Sequence, residues 1–320
     1  MLTLQKAKST EIVSIPMDNR PVEDSLSKEW LLTNERGGYA SSTIVGCNTR
    51  RYHGLLIGSL NPLANRIMGL ANCLEMVILN GKVFNLSTFE FNGKFAPEGF
   101  KHIKQFRRDT GVHIDYQFDG LELTKSVYLL RDTDMVALVY DFTRLGRIEK
   151  PMEFVLRPFV GLRDFHALQK SYTPLCSTWL DDGLSIRHDV PDSCELFLRC
   201  HSLNPVRNSI ARNNMIPEGK ISNGVNFRKD QEWWFNFVYR NDKERGQDFT
   251  EDLWSPGFFK CCTDSPVKIV LWAHLSDRRK PESAVGSIEA GVPKHHKEKE
   301  YLRTPILKRF ARICTSTKVL

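Results

Sequence analysis

One short segment of the sequence brings together side chains suited to binding a small polar ligand. It carries an amide, two guanidinium groups, a phenol and an imidazole: Asn48, Arg50, Arg51, Tyr52 and His53. Planar polar groups make paired hydrogen bonds to vicinal hydroxyls, and an aromatic face covers the apolar side of a sugar ring, so this inventory fits a sugar pocket. In the alternative interpretation, the arginines pair with carboxylates to fix a domain interface while Tyr52 and His53 pack in the core. The sequence leaves both interpretations open.

A second candidate cluster lies in a loop directly after a predicted strand and consists of Arg163, Asp164 and His166. Such a loop either lines a cleft or simply closes a turn. Trp254 is a further candidate, because an aromatic ring with a polar edge stacks well on a sugar. Trp233 and Trp234, in contrast, lie in an alternating segment and are predicted to be core residues.

No pair of carboxylates can be assigned to catalysis from the sequence. Side chains that are adjacent on a strand point to opposite faces, so we expect the pairs Glu251-Asp252 and Asp181-Asp182 to be surface charges. The pair His295-His296 has no cysteine or acidic partner at the spacing of a metal site. The sequence therefore predicts neither a metal site nor a cofactor.

The composition indicates a globular chain whose positive charge is concentrated at one end. Of the 320 residues, 41% are hydrophobic, which is ample for one large domain or two ordinary ones. The net charge is +7, and residues 276–320 hold 11 basic and 5 acidic side chains, so the rest of the chain is nearly neutral. A nearly neutral body lacks the broad basic face that neutralises many phosphates. We therefore expect no nucleic-acid partner.

The sequence also argues against a membrane or secreted location. The longest uncharged candidate, between Arg51 and Arg66, has 14 residues and includes polar ones, whereas a span needs roughly 18 apolar residues. The first thirty residues show no secretion signal. We expect the eight cysteines to be mainly buried free thiols in a reducing compartment, which predicts a cytoplasmic protein.

The candidate residues must be positioned by strands, because short alternating segments separated by turn dipeptides dominate residues 74–275. Every second residue of 112–118 is apolar, and Asp119-Gly120 then supplies the positive φ angles of a tight hairpin. Asn80-Gly81 and Asp182-Gly183 predict two more hairpins. Further strands, rich in β-branched and aromatic residues, are predicted at 135–142, 152–160, 194–200, 232–239 and 267–275. Because helix-length segments are missing between strands, we predict an all-β fold, a large antiparallel β-sandwich of the super-sandwich type.

The character of the sequence changes after Leu275. Residues 276–299 are rich in basic residues, proline and glycine, which is typical of an exposed linker. Apolar residues then recur at helical spacing and predict an amphipathic helix from about residue 304: Leu302, Ile306, Phe310 and Ile313. A helix of this length is marginal alone, so it either docks on the sandwich or begins a further domain.

Two neighbouring segments carry a family resemblance. Residues 29–43 read Glu-Trp-Leu-Leu-Thr-Asn-Glu-Arg-Gly-Gly-Tyr-Ala-Ser-Ser-Thr, and residues 46–56 read Gly-Cys-Asn-Thr-Arg-Arg-Tyr-His-Gly-Leu-Leu. Together they resemble the opening signature of the bacterial and archaeal type of glycogen debranching enzyme. Shorter matches follow in the expected order at 74–75, 86–91, 157–158, 163–166 and 252–259. The resemblance therefore covers residues 29–275.

The resemblance implies a β-sandwich followed by a toroid of helical hairpins, whose carboxylates hydrolyse the α-1,6 branches of glycogen (amylo-α-1,6-glucosidase activity). It implies an α-glucan, glycogen or limit dextrin, as ligand and a helical catalytic domain, in cis or in trans, as partner. On this basis residues 1–28 are an N-terminal extension and residues 29–275 the sandwich domain. Residues 276–320 are then a basic linker with the start of a helix, without the catalytic toroid.

Three functional hypotheses stay open at this point. In the first, the chain supports or completes the active site of a helical catalytic domain, and residues 48–53 form part of its glucose-binding rim. In the second, it is a free-standing glucan-binding or regulatory module without catalysis. In the third, it is the remnant of a truncated gene.

Overall fold

The computed structural model of the protein describes residues 13–61, 65–145, 150–180, 183–189, 193–203, 220–222 and 224–276. Most of these residues lie in strands, with short helices α1 (Val22–Leu26) and α2 (Arg240–Glu244) and a 3₁₀ turn at Gly99–His102. The strands, in chain order, are β1 (Val13–Pro16), β2 (Glu29–Thr33), β3 (Tyr39–Thr43), β4 (Gly54–Asn61), β5 (Asn65–Leu79), β6 (Lys82–Asn85), β7 (Thr88–Phe91), β8 (Lys94–Glu98), β9 (Ile103–Arg108), β10 (Val112–Phe118), β11 (Leu121–Leu129), β12 (Met135–Asp141), β13 (Met152–Asp164), β14 (Leu175–Leu180), β15 (Gly183–His188), β16 (Glu195–Ser202), β17 (Lys220–Ser222), β18 (Val225–Val238), β19 (Thr250–Thr263) and β20 (Lys268–Ser276).

Two large antiparallel sheets account for most of these strands. Sheet I has the order β1-β9-β10-β11-β12-β20-β16-β15-β14. Sheet II has the order β17-β18-β19-β13-β5-β4-β3-β2, with β6 paired to β5, and a separate two-stranded sheet is formed by β7 and β8. This arrangement confirms the predicted all-β sandwich.

The dipeptide turns behave as the sequence predicts. Asp119 and Gly120 have φ angles of 46° and 76° between β10 and β11. Asn80 and Gly81 have φ angles of 50° and 79° between β5 and β6. These are the left-handed conformations that a two-residue hairpin requires. At the third predicted hairpin β14 pairs with β15, while residues 181 and 182 lie outside the described part of the chain.

Strand alternation places one face of each sheet in a shared core. On β10, Val112, Ile114 and Tyr116 are buried and belong to the main apolar cluster. Side chains from the two sheets interdigitate there, since the ring of Tyr140 on β12 lies 4.8 Å from that of Phe154 on β13. Burial of this kind supplies most of the driving force for folding.

A buried ionic group also joins the two sheets. Lys125 Nζ, on β11 of sheet I, lies 2.5 Å from Glu75 Oε1 on β5 of sheet II. Tyr140 donates its hydroxyl to the same carboxylate oxygen at 2.7 Å, and Ser87 donates to Glu75 Oε2 at 2.9 Å. Burial, together with the nearby Glu75 carboxylate, raises the pKa of Tyr140 well above its ordinary value, so its hydroxyl remains a donor.

Some segments depart from the expected layout. Part of the predicted N-terminal extension belongs to the sandwich, because β1 pairs with β9 and Leu26 of α1 lies in the main core cluster. The predicted linker after Ser276 and the helix from about residue 304 lie outside the described residues. Contacts divide the chain into two units, Met1–Arg279 and Lys280–Leu320, and all described residues belong to the first.

The structure bears on two further predictions, one about membrane-spanning helices and one about cysteines. Within the described ranges, no helix is both long and apolar enough to cross a membrane. Cys47, Cys73, Cys200 and Cys261 are buried free thiols. Burial raises the pKa of the Cys261 thiol to about 12, which keeps it in the unreactive neutral form.

Candidate functional site

The loop between β3 and β4, residues 44–53, is shaped by its own polar side chains. Asn48 accepts a hydrogen bond from the Ser42 hydroxyl at 2.8 Å and donates its amide to the Ala71 carbonyl at 3.0 Å. Both ends of the amide are therefore engaged within the protein. In this structure the Asn48 side chain holds the loop by hydrogen bonds within the protein.

Glu29, at the start of β2, holds two further residues of the loop. Its Oε1 atom lies 2.7 Å from Arg50 Nε and 3.7 Å from His53 Nε2. His53 is buried, and its Nδ1 accepts the Thr49 backbone N–H at 3.1 Å. The contact with the His53 imidazole, assisted by Arg50, lowers the pKa of Glu29 to about 2 against the opposing effect of burial. This clasp ties the loop to the edge of sheet II.

Arg51 connects the loop to a distant part of the chain. Its backbone N–H donates to Asp242 Oδ2 on α2 at 2.7 Å. Its guanidinium donates to the carbonyls of His166 at 2.9 Å and Asp248 at 2.6 Å. One side chain thus joins the β3–β4 loop, the loop after β13 and the loop after α2.

A buried ion pair fixes the backbone of that junction. Arg163, at the end of β13, donates through Nε and Nη2 to the two carboxylate oxygens of Glu251, and Nη2 also reaches the Arg51 carbonyl at 2.9 Å. Tyr239 donates its hydroxyl to Glu251 as well. The adjacent carboxylate raises the pKa of Arg163 despite burial, so the guanidinium stays charged. The pair is a forked, bidentate contact of high geometric specificity.

Glu251 and Asp252 are not the surface charges that we expected. Both are buried. Glu251 Oε1 accepts the Gln169 N–H at 2.9 Å, while Asp252 accepts the N–H groups of Ser171 at 3.1 Å and Asn236 at 3.0 Å. The prediction was wrong because buried carboxylates become tolerable when hydrogen-bond donors surround them, and these donors come from remote segments of the chain.

An exposed aromatic rim stands above this framework. The Tyr52 hydroxyl lies 3.2 Å from His166 Nδ1, and the Tyr52 ring is 5.5 Å from that of Phe165. Asp164 fixes the loop by accepting the His166 N–H at 2.8 Å. Tyr39 donates its hydroxyl to the Tyr52 carbonyl at 2.9 Å, and burial raises the pKa of Tyr39 to about 12. The rim therefore presents a phenol and an imidazole on a fixed backbone.

An open cleft of about 520 Å³ lies beside the rim. Its lining is mainly polar and comes from three segments: Arg51, His166, Ala167, Leu168, Lys170, Gly246, Gln247, Asp248, Phe249 and Thr250. Lys170 is oriented by hydrogen bonds from Nζ to the Thr250 carbonyl at 2.7 Å and hydroxyl at 3.1 Å. Polar groups that converge on a concave surface can orient a hydroxylated ligand by hydrogen bonds.

The structure brings some candidate residues together and separates others. Arg51 and His166 line the cleft, with Tyr52 at its rim and Arg163 beneath it. Trp254 is only 4% exposed and packs in the main core, which leaves no ring face for a sugar.

Trp233 and Trp234, which were predicted to be core residues, are only partly buried. Trp233 packs against the main core, and the Trp234 ring lies 5.0 Å from Phe159 in a second apolar cluster.

Several cleft residues were not among the candidates from the sequence. Lys170, Gln247, Asp248 and Thr250 belong to loops and strand ends that carry no recognisable spacing. Gly246, which has a φ angle of 68° just after α2, is the one local signal of a turn in this segment. Their convergence depends on the Arg163–Glu251 pair, which a local sequence pattern does not reveal.

Most of this chain matches a known protein family. The family model for the N-terminal region of glycogen debranching enzymes ("Glycogen debranching enzyme N terminal") matches residues 28–268. No match to a curated protein was found.

Three of the solved structures that match this chain belong to larger proteins. Heparinase III, the BT4657 gene product, is 14% identical with a TM-score of 0.32, and the match covers 63% of this chain and 23% of that one. Heparan sulfate lyase HepC from Pedobacter heparinus is 10% identical with a TM-score of 0.31, and the match covers 61% of this chain and 22% of that one. A putative kojibiose phosphorylase from the human microbiome is 9% identical with a TM-score of 0.38, and the match covers 83% of this chain and 32% of that one. This chain thus matches between about a fifth and a third of the length of these proteins.

Proposed function

Because the chain belongs to the family of glycogen debranching enzyme N-terminal domains, we propose that it is the β-sandwich part of an enzyme that hydrolyses α-1,6 branches in glycogen or limit dextrin. Residues 29–275 form the family domain in this proposal. The sandwich holds a glucose unit at the cleft beside His166. A helical catalytic domain, in cis or in trans, supplies the acid and the base that hydrolysis requires.

The observation that carries this proposal is the exposed Tyr52–His166 pair at the mouth of a polar cleft. Both side chains stand on backbone that hydrogen bonds hold in place. Tyr39 donates to the Tyr52 carbonyl, Arg163 donates to the Arg51 carbonyl, and Asp164 accepts the His166 N–H. Preorganised polar groups bind a sugar without first being ordered, which favours affinity. The ring of Tyr52 adds an apolar face beside these hydrogen-bonding groups.

The division of labour is consistent with the state of two buried carboxylates near the cleft, those of Glu251 and Asp252. Glu251 accepts four hydrogen bonds, from Arg163, Gln169 and Tyr239, and is buried. Asp252 is buried and bonded to two backbone N–H groups. A general acid or base must reach the scissile oxygen or a water molecule, and these two carboxylates are already occupied. This supports a binding role for the sandwich, with the catalytic carboxylates on the helical domain.

Calorimetric titration of the full chain with maltotetraose and with a branched limit dextrin tests the proposal. We expect saturable binding that is weakened by about 5-fold or more in His166→Ala, because the imidazole lines the cleft. Arg144→Ala is the control, since Arg144 lies in the turn after β12, and its exposed guanidinium contacts Glu122 on β11 and does not line the cleft. Absence of binding by the folded chain, or equal binding by His166→Ala, would contradict the assignment of this cleft.

A further inference from the structure

Two large aromatic side chains near the cleft are strongly exposed. Tyr172 is 85% exposed and Phe235 is 55% exposed, although most rings of the described residues are at least partly buried. A single exposed aromatic residue needs no explanation, because much of any protein surface is apolar. These two residues differ because one buried carboxylate, that of Asp252, holds the backbone beside each of them.

Next to Phe235, strand β18 contains a β-bulge. Trp234 pairs with Leu253 and Phe237 pairs with Glu251, so residues 235 and 236 together face Asp252 on β19. Asn236 has a φ angle of 60°, and its N–H donates to Asp252 Oδ1 at 3.0 Å. A bulge re-aims side chains and leaves one N–H without a ladder partner. Here the carboxylate satisfies that N–H while Phe235 projects outward.

On the Tyr172 side, the device is a turn after β13. The Thr173 N–H donates to the Lys170 carbonyl at 3.0 Å, which closes a turn with Tyr172 near its tip. The Ser171 N–H donates to Asp252 Oδ2 at 3.1 Å. The two oxygens of one buried carboxylate therefore hold the turn and the bulge side by side.

The turn is continuous with the cleft. Lys170 lines the cleft and is the first residue of the turn, and it bonds to Thr250, two residues before Asp252. The segment that shapes one wall of the cleft thus also displays Tyr172. A ligand that extends from the cleft along this segment would pass the turn that carries Tyr172.

We propose that Tyr172 and Phe235 form an aromatic platform that binds the glucose units of an α-glucan chain extending out of the cleft. This inference rests on the proposed function and adds a substrate class: linear glucan segments of several units, in preference to single glucose units or disaccharides. Aromatic faces cover the apolar faces of successive pyranose rings, while the cleft binds the terminal unit through polar groups. Asp252 is a positioning residue that holds both rings in place.

The test is calorimetric titration of the full chain with maltose and with maltoheptaose, for the wild type and for Tyr172→Ala and Phe235→Ala. We expect each substitution to weaken maltoheptaose binding by about 3- to 10-fold while maltose binding stays within about 2-fold. His166→Ala, in contrast, should weaken both ligands. Leu31→Ala is the matched control, because Leu31 is also an exposed apolar residue, at 47%, but lies on β2.

The alternative outcomes separate the platform from the cleft. Unchanged maltoheptaose affinity in both aromatic variants, with His166→Ala still defective, would overturn the platform and leave the proposed function standing. Equal losses for maltose and maltoheptaose would overturn it too, because the rings would then act on the cleft itself. A shift in oligomeric state by light scattering with no change in affinity would identify a protein contact instead. Failure of the folded wild type to bind either oligosaccharide would overturn both proposals.

Discussion

The Tyr52 hydroxyl lies 3.2 Å from Nδ1 of His166, a residue 114 positions later in the chain. The two side chains stand on different loops, and the Arg51 guanidinium joins the same loops by donating to the His166 carbonyl at 2.9 Å. The segment that carries the family signature is therefore built into one rim with the loop after β13. A ligand at this rim would contact both segments at once.

Substituting Tyr52→Phe removes the hydroxyl and keeps the ring beside Phe165. A hydrogen bond of this kind contributes about 0.5–1.5 kcal/mol, so we expect maltotetraose affinity to fall about 2- to 10-fold. The free energy of unfolding should change by less than about 1 kcal/mol, because the hydroxyl is partly exposed. Calorimetric titration and urea denaturation measure the two quantities. A large loss of stability with unchanged affinity would show that the hydroxyl serves only the fold.

Replacing Arg163→Lys tests the anchor beneath the rim. Lysine keeps the charge but lacks the planar fork through which Arg163 donates to both Glu251 oxygens and to the Arg51 carbonyl. We expect a loss of about 1–3 kcal/mol in the free energy of unfolding and weaker oligosaccharide binding, because the Arg51 backbone loses its support. Arg144→Lys, at a pair whose guanidinium side chain is 77% exposed, is the matched control and should change stability by under about 0.5 kcal/mol. Equal effects of the two substitutions would argue against an anchoring role.

Local patterns predicted the hairpins of this fold, because Asp119-Gly120 and Asn80-Gly81 adopt the left-handed angles that their chemistry favours. The all-β architecture followed from such segments. The state of Glu251 was not predictable in this way, since its main partner, Arg163, lies 88 positions earlier. For residues 48–53 the sequence left a ligand-binding role and a structural role open. In the structure, Asn48, Arg50 and His53 make contacts that hold the loop, and Tyr52 lies at the rim.

The clasp at Glu29 predicts a specific dependence of stability on pH. The contact with His53 and the hydrogen bond from Arg50 lower the pKa of Glu29 from 4.5 to about 2, so the folded state favours the charged carboxylate. This contribution is present above about pH 4.5 and is lost as the pH falls towards about 2, because the unfolded chain binds the proton first. Glu29→Gln should therefore show a flatter pH dependence in this window, measured by urea denaturation. Parallel pH profiles for the variant and the wild type would contradict the clasp.

The Glu75–Lys125 pair between the sheets predicts a non-additive response to mutation. Lys125→Met alone leaves the Glu75 carboxylate buried without its cation and should cost about 3–5 kcal/mol in the free energy of unfolding. Adding Glu75→Gln removes the unpaired charge, and the amide oxygen still accepts from Tyr140 or Ser87. The double variant should therefore be more stable than the sum of the two single losses predicts, by about 1–3 kcal/mol.

The same cycle on the exposed Arg144–Glu122 pair gives the reference value for a surface contact. We expect a coupling of under about 1 kcal/mol there, because solvent screens exposed charges. A coupling at Glu75–Lys125 no larger than this reference would mean that water reaches the carboxylate in solution, and the ion pair would then stabilise the contact between the two sheets no more than a surface pair does. A larger coupling would place the ion pair among the interactions that hold sheet I and sheet II in register.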